Sequence, residues 1–241
     1  VESFMWLQKR LSIKNQLPPL VGWPAAPDFL LELHTWIIEN KPKHIVETGS
    51  GVSTLVIADA LHQNKYGRLT SLEHLDEFGD KTYASLKSGG LTEWVDLIIS
   101  PLSPWKGPHL NPEDSDKKSS WYSLGMIPNK LEPIDLLIVD GPPGSTCSYA
   151  RYPALIYFYK YLSDKAEIWM DDAKRLEEQE ISEDWVGRFD LHKEYTPLEK
   201  GLLRMRKHSF FSSSNTLLAN SNSADQDFDF EVRDDKPVKV F

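Results

Sequence analysis

One cysteine, Cys147, stands in a chain of 241 residues, so no internal disulfide can form. A hydrophobic core must hold the fold instead, and a reducing compartment, the cytoplasm, is the expectation. No histidine accompanies Cys147 in a nucleophile motif, so an inert thiol is expected. Basic side chains are also scarce: 27 Lys and Arg against 36 Asp and Glu leave a net charge of -9. That balance gives no electrostatic footprint for nucleic acid or an anionic membrane, and neither is expected as a partner. No apolar run approaches the roughly 20 residues that span a bilayer. The chain opens on Val1 without a signal-peptide core or cleavage site, so the expectation is a trimmed chain or a piece of a longer polypeptide. What is present is 40% hydrophobic content, enough for one sizeable core and a single domain, with no internal repeat.

Residues 1–27, interrupted by Pro18, Pro19, Pro24 and Pro27, read as an irregular lead-in covering the pocket, with Trp6 and Trp23 as core or lid. From Asp28, an expected N-cap, Phe29, Leu30, Leu33, Trp36 and Ile37 recur at helical spacing. Short apolar runs predict strands near 44–47, 69–72, 95–99, 134–139 and 166–170, with helices at about 53–63, 77–87 and 151–162 between them. This alternation makes an α/β fold around a parallel sheet. A charged helix follows Asp172 through Glu177, Glu178 and Glu180. Phe189 to Tyr195 and Gly201 to Lys207, separated by Thr196-Pro197-Leu198-Glu199-Lys200, then fit an antiparallel hairpin. Residues 103–133 are too many for an ordinary connection and carry Trp105, His109, Trp121 and Tyr122. They make either an acceptor-binding lid or a loop whose aromatics pack back on the domain. From Ser212 the Ser/Asn/Asp-rich sequence reads as a flexible tail over 212–241, leaving 28–211 as the folded domain.

The most informative stretch is His44-Ile-Val-Glu-Thr-Gly-Ser-Gly-Val-Ser-Thr54, followed by Leu69-Thr-Ser-Leu-Glu73. It reads as strand, glycine turn, helix start and a second strand ending in an acid, which is how an open α/β sheet builds a nucleoside pocket. Gly49 and Gly51 let the backbone turn tightly, and Glu73 is the candidate for the ribose hydroxyls. A dinucleotide site needs a third glycine where Thr54 stands, preceded by Ser53, so no pyrophosphate is implied. Glu47 would repel phosphate but suits a cationic ligand such as S-adenosylmethionine, with its ammonium and sulfonium. The candidate cofactor set is Glu47, Thr48, Gly49, Ser50, Gly51, Ser53, Thr54, Glu73, His74 and Asp140. His74 enters by adjacency; like His44 and His192, its plainer reading is structural or exposed. The glycines alone would also suit a strand-to-helix turn with no ligand.

With these residues the chain resembles the class I S-adenosylmethionine-dependent methyltransferases, whose first motif has this acid-x-Gly-x-Gly form. The resemblance implies a Rossmann-like sandwich with a mostly parallel seven-stranded sheet that ends in an antiparallel hairpin, as the run to Lys207 suggests. It extends over roughly 44–207, with the Val-Glu-Thr-Gly-Ser-Gly-Val-Ser-Thr and Ile-Val-Asp-Gly-Pro-Pro patterns similar to those of a bacterial small-molecule family.

Ligands sit outside the carboxyl ends of parallel strands, and three acids fall there: Asp140 after Ile134-Asp-Leu-Leu-Ile-Val, and Asp171 with Asp172 after Ala166-Glu-Ile-Trp-Met. Converging carboxylates repel unless a cation lies between them, and hard oxygen donors select Mg2+ or a similar divalent ion. The arrangement resembles the metal-dependent catechol and caffeoyl-coenzyme A O-methyltransferases. That resemblance implies metal ligands at Asp140, Asp171 and Asp172 and an ion bridging vicinal acceptor oxygens. Those enzymes carry a lysine shortly after the first acid; here Gly141, Pro142, Pro143, Gly144 and Ser145 follow. The competing reading makes Asp171 and Asp172 a cap for a helix starting near Lys174. Without a metal, Asp140 or His109 is the expected catalytic base. Tyr149, Arg151 and Tyr152 are acceptor contacts by position, although Tyr152 with Leu155, Ile156 and Tyr159 has the spacing of helix packing.

The expected activity is O-methylation of a small hydroxylated acceptor, a sugar or secondary metabolite, with S-adenosylmethionine as donor and a divalent metal assisting. A nicotinamide-dependent oxidoreductase is disfavoured by Thr54 and the hairpin. A cofactor-binding module of a larger chain that has lost catalysis is the alternative from another class.

Overall fold

The computed structural model describes residues 1–13, 17–18, 25–110 and 119–208. Trp23 and the tail from Ser212 lie outside them. The lead-in begins with a helix, α1 (Glu2–Arg10), where an irregular segment was expected. Its nine residues precede the first proline and place Leu7 in the core, while Trp6 is half-exposed beneath Lys9 and is not part of the core. Helix α2 (Pro27–Asn40) starts one residue before the expected cap, because Pro27 is preset for the first helical position. Asp28 accepts instead from the amide nitrogens of Phe29 and Glu199, fastening α2 to the distant hairpin.

The alternating elements follow as β1 (His44–Thr48), α3 (Val52–Asn64), β2 (Arg68–Glu73), α4 (Asp76–Gly89), β3 (Val95–Ile99), β4 (Leu102–Pro104) and β5 (Ser120–Tyr122). The chain continues through β6 (Ile134–Val139), α5 (Pro153–Phe158), β7 (Leu162–Met170), α6 (Leu176–Phe189), β8 (Leu191–Thr196) and β9 (Leu202–Lys207). A seven-stranded sheet has the order β3-β2-β1-β6-β7-β9-β8, parallel except for β9, which is antiparallel to both β7 and β8. All five residues of β1 are buried, as a central strand covered on both faces requires. β7 begins four residues before the expected position 166; its polar Ser163, Asp164 and Lys165 follow an irregular register opposite β6 and hid its start. Helix α5 is shorter than expected, since Pro153 sets its start and a 3-10 turn over Tyr159–Tyr161 closes it.

Core packing fills both faces. On one, Leu7, Phe29, Leu33, Ile37, Val56 and Ile57 pack against Ile45, Leu69 and Trp169. On the other, Trp121, Tyr122, Tyr152, Phe158 and Trp185 pack against Val46, Leu137 and Ile168. Trp105, Trp121 and Tyr122 are all buried there, so the aromatics of the 103–133 segment pack back on the domain. β4 and β5 pair as a small antiparallel ribbon that holds them in place. Tyr152 also packs as its spacing suggested, its hydroxyl donating to Asp184.

Candidate active site

Because β1 and β6 are neighbours, their carboxyl ends deliver the glycine turn and Asp140 to one place. Gly49 has a φ of +91° and lies against the Asp140–Gly141 backbone, so a side chain here would be strained and crowded. The contact is reciprocal: a Cβ on Gly141 would come within 3.0 Å of Gly49 Cα and 2.6 Å of the Tyr122 hydroxyl.

Glu47 is fully buried beneath this turn. Its Oε2 accepts from Thr54 Oγ1 at 2.7 Å and Ser71 Oγ at 2.8 Å, while Oε1 has no partner among the described residues. Thr54 in turn accepts from the Gly51 amide at 2.9 Å, so the residue replacing a third glycine ties the turn to the acid. Burial pushes the Glu47 pKa up to about 7, against the lowering effect of hydroxyls from Ser53, Thr54 and Ser71.

Glu73, at the tip of β2, is already engaged. Its Oε2 accepts from the Ser50 amide at 3.2 Å and hydroxyl at 2.8 Å, and its Oε1 from the amides of His74 at 2.7 Å and Leu75 at 3.0 Å. His74 Nδ1 lies 3.0 Å from Oε1. Burial favours the neutral acid, but these bonds outweigh it and hold the pKa below its ordinary value. A ribose on Glu73 would have to take over the bonds now made by Ser50. His74 thus meets Glu73 through both its amide and its ring. His44 is structural, bonded to Thr70 and the Glu132 carbonyl, and His192 is exposed.

Asp140, Asp171 and Asp172 converge as expected, each offering an oxygen within 4.8 Å of the others. Arg151 is drawn into the same cluster. This almost fully buried guanidinium places Nη2 at 3.1 Å from Asp140 Oδ1, 2.8 Å from Asp172 Oδ2 and 3.0 Å from the Asp140 carbonyl. Nη1 donates to the Asp171 carbonyl at 3.0 Å and lies 3.5 Å from Glu178 Oε1. Asp172 also meets Arg175 at 2.9 Å and Lys200 at 3.9 Å. Both oxygens of Asp171 are buried without a partner among the described residues.

Burial is the main cause raising Asp140 to about 6; the Arg151 charge pulls it back, while Asp172 and Glu47 push it higher. Asp171 rises to about 7 through burial first and then its neighbours Asp140 and Asp172. The alternative of a helix cap fails: α6 begins at Leu176, and no side chain caps it. Asp172 bonds the guanidinium of Arg175 and not an exposed end of the helix.

Beyond Asp140 opens a cavity of about 540 Å3, bordered by the Pro143–Ser145 loop, Arg151, Asp172, Arg175 and Lys200. Leu176, exposed, stands at its rim. Asp140 keeps 20% of its side chain accessible here, and among the described residues no hydrogen bond reaches its Oδ2. His109 is exposed, bonded through Nδ1 to Ser119 Oγ at 2.9 Å, and is not among the residues lining this cavity. Tyr149 bonds Glu180 through its hydroxyl and Cys147 is half-buried against Ser120, so neither lines the cavity.

A family profile described as a methyltransferase domain matches residues 46–173, more than half of the chain, from inside β1 to just past Asp172. The chain belongs to this methyltransferase family. No curated protein matches it. Among solved structures, this methyltransferase is similar in fold to a Podospora anserina methyltransferase bound to S-adenosylhomocysteine (17% identity, 86% of each chain, TM-score 0.54). It is also similar to the O-methyltransferase TomG of Streptomyces achromogenes, in complex with S-adenosylmethionine (17% identity, 78% of this chain and 83% of that one, TM-score 0.55). A third is a Bacillus cereus O-methyltransferase with S-adenosylhomocysteine (15% identity, 85% and 96% of the chains, TM-score 0.55). These likenesses establish the class I methyltransferase fold, with its parallel strands and antiparallel end.

For this methyltransferase a divalent ion at the three acids does not fit the side chains in place. Two of the three ligands already share one guanidinium, and Asp172 has two further cations beside it. The buried Glu47 Oε1, without a partner among the described residues, and the Gly49–Gly141 contact, in contrast, fit a cationic cofactor lying along the turn. Sequence reasoning missed the central place of Arg151, naming it only as an acceptor contact. An excess of acids at adjoining strand ends, with one arginine just past the glycine-proline loop, was the available signal.

Proposed function

We propose that the chain transfers the methyl group of S-adenosylmethionine to a hydroxyl of a small acceptor held in the cavity beside Asp140. The observation that carries this reading is the position of Asp140, whose backbone touches the glycine turn while its side chain borders the cavity. One acid therefore faces both substrates.

The donor already carries an activated methyl on sulfur, so alignment and proton removal are what the protein supplies. When bound, the donor would supply its methyl in line, the O–CH3 bond forming as the C–S bond breaks and leaves the electron pair on a neutral thioether, and Asp140 would take the hydroxyl proton. In this reading Glu47 faces the cationic end of the donor, Gly49 lets it lie close to the backbone, and Glu73 receives its ribose after Ser50 gives way. Thr48, Gly51, Ser53 and Thr54 shape the turn. Asp140 is preferred to His109 as the base because it borders the cavity. A polyol or sugar suits lining residues that alternate carboxylates with cations, since each hydroxyl both donates and accepts. Metal assistance, expected from the three acids, has in its favour only their convergence; no step here uses it.

Thermal shifts with S-adenosylhomocysteine against NADH test the cofactor, and S-adenosylhomocysteine alone is expected to stabilise. Mass spectrometry of acceptor mixtures should then show products heavier by one methyl. Stabilisation by NADH alone would overturn the reading in favour of an oxidoreductase.

A further inference from the structure

The resemblance to metal-dependent enzymes and the three converging acids both point to a cation, and the chain supplies one of its own. We infer that Arg151 is the permanent counter-ion of the Asp140–Asp171–Asp172 cluster, and that the cluster binds no divalent metal while Arg151 remains there.

Geometry is the first support. Nη2 contacts a side-chain oxygen of both Asp140 and Asp172, at 3.1 and 2.8 Å, so it lies between two of the three presumed ligands. A hard ion needs oxygens at about 2.0–2.6 Å, which would put a double positive charge within a few ångströms of a buried guanidinium. Like charges at that range beside a buried guanidinium repel strongly.

The second support is how firmly Arg151 is held. It bonds the main-chain carbonyls of Asp140 and Asp171, which end the adjacent strands β6 and β7, and it also faces Glu178 from α6. Three elements fix the guanidinium, and a fork of this shape is what a lysine cannot reproduce. Its positioning role is to keep one oxygen of Asp140 bonded while the other faces the cavity. Arg175 and Lys200 add positive charge around Asp172, further disfavouring a metal there.

This inference rests on the methyl-transfer reading only for the use made of Asp140, and its test uses a metal alone. Titration of the full chain with MnCl2, followed by electron paramagnetic resonance, should give no saturable binding up to about 1 mM. Arg151→Met, with its folding checked by circular dichroism, should bind Mn2+ at least roughly tenfold more tightly, because Asp140 and Asp171 then face no guanidinium and only Asp172 keeps cations, Arg175 and Lys200, beside it. Adding Asp140→Asn should abolish that gain. Arg151→Gln serves if the methionine variant does not fold.

Saturable binding by the wild type that is lost in Asp171→Asn overturns the inference. So does a folded Arg151 variant that gains no metal binding. If neither variant folds, the wild-type titration decides alone. S-adenosylhomocysteine binding measured on the same wild-type sample separates the two claims, since its absence would sink the cofactor reading and leave the metal result standing.

Discussion

Glu47 is a carboxylate whose charge answers to what lies beside it. Its pKa in the fold, about 7, exceeds the ordinary 4.5, so the native state holds the proton more tightly than the unfolded chain. Stability of the free protein should therefore fall as pH rises from about 4.5 to 7, the interval over which the unfolded chain loses its proton first. A cationic cofactor favours the ionised form, so binding near neutral pH should release a proton. Calorimetry in buffers of different ionisation enthalpy measures it; the release should vanish in Glu47→Gln, and none in the wild type would remove Glu47 from contact with the ligand's charge. Glu73 allows a different comparison. Glu73→Ala should weaken S-adenosylhomocysteine by about 10- to 150-fold, the loss of a charge-assisted bond of about 1.5–3 kcal/mol. Ser50→Ala removes the hydroxyl that competes for that carboxylate, though not the amide beside it, and should leave affinity equal or higher. Equal losses in both variants would mean that the serine, not the ribose, is what Glu73 serves.

At the scale of elements, the meeting of β1 and β6 sets the site. Gly141→Ala would push a methyl to 2.6 Å from the Tyr122 hydroxyl and 3.0 Å from Gly49, with backbone on one side and a fully packed ring on the other. About 1–3 kcal/mol of stability should be lost, as for overpacked cores, together with cofactor affinity. Denaturant unfolding and calorimetry check the two effects, and an unchanged midpoint would show that β5 yields freely. The strands themselves were legible because central parallel strands are apolar on both faces, so Ile45 and Val46 or Leu136 to Val139 stand out from any context. Helix α1 was not legible: nearby prolines suggested irregularity, and only Leu7 among its side chains is buried. The start of β7 was hidden for the same kind of reason, since Ser163 to Lys165 carry no apolar signal.

For the molecule as a whole, topology converts distant segments into one edge, which is why three acids from two separate places in the sequence were readable as a cluster. Their partner was not readable, because sequence spacing does not say which way a single arginine turns. The carbonyls that hold Arg151 belong to no side-chain pattern at all. Among the described residues no helix is long and apolar enough to cross a membrane. In the proposed reading the acceptor is recognised in the cavity outside the strands, where the fixed guanidinium bears on the product. A chelated ion would hold both oxygens of a vicinal diol at once, and either could then be turned toward the donor. Arg151 offers no such interchange: it is anchored from behind by two carbonyls and leaves a single free oxygen on Asp140 to choose among hydroxyls. An acceptor with one isolated hydroxyl should serve as well as a diol, and a diol should be methylated at one position; chromatography of the regioisomers, with an even mixture as the adverse result, reads this directly.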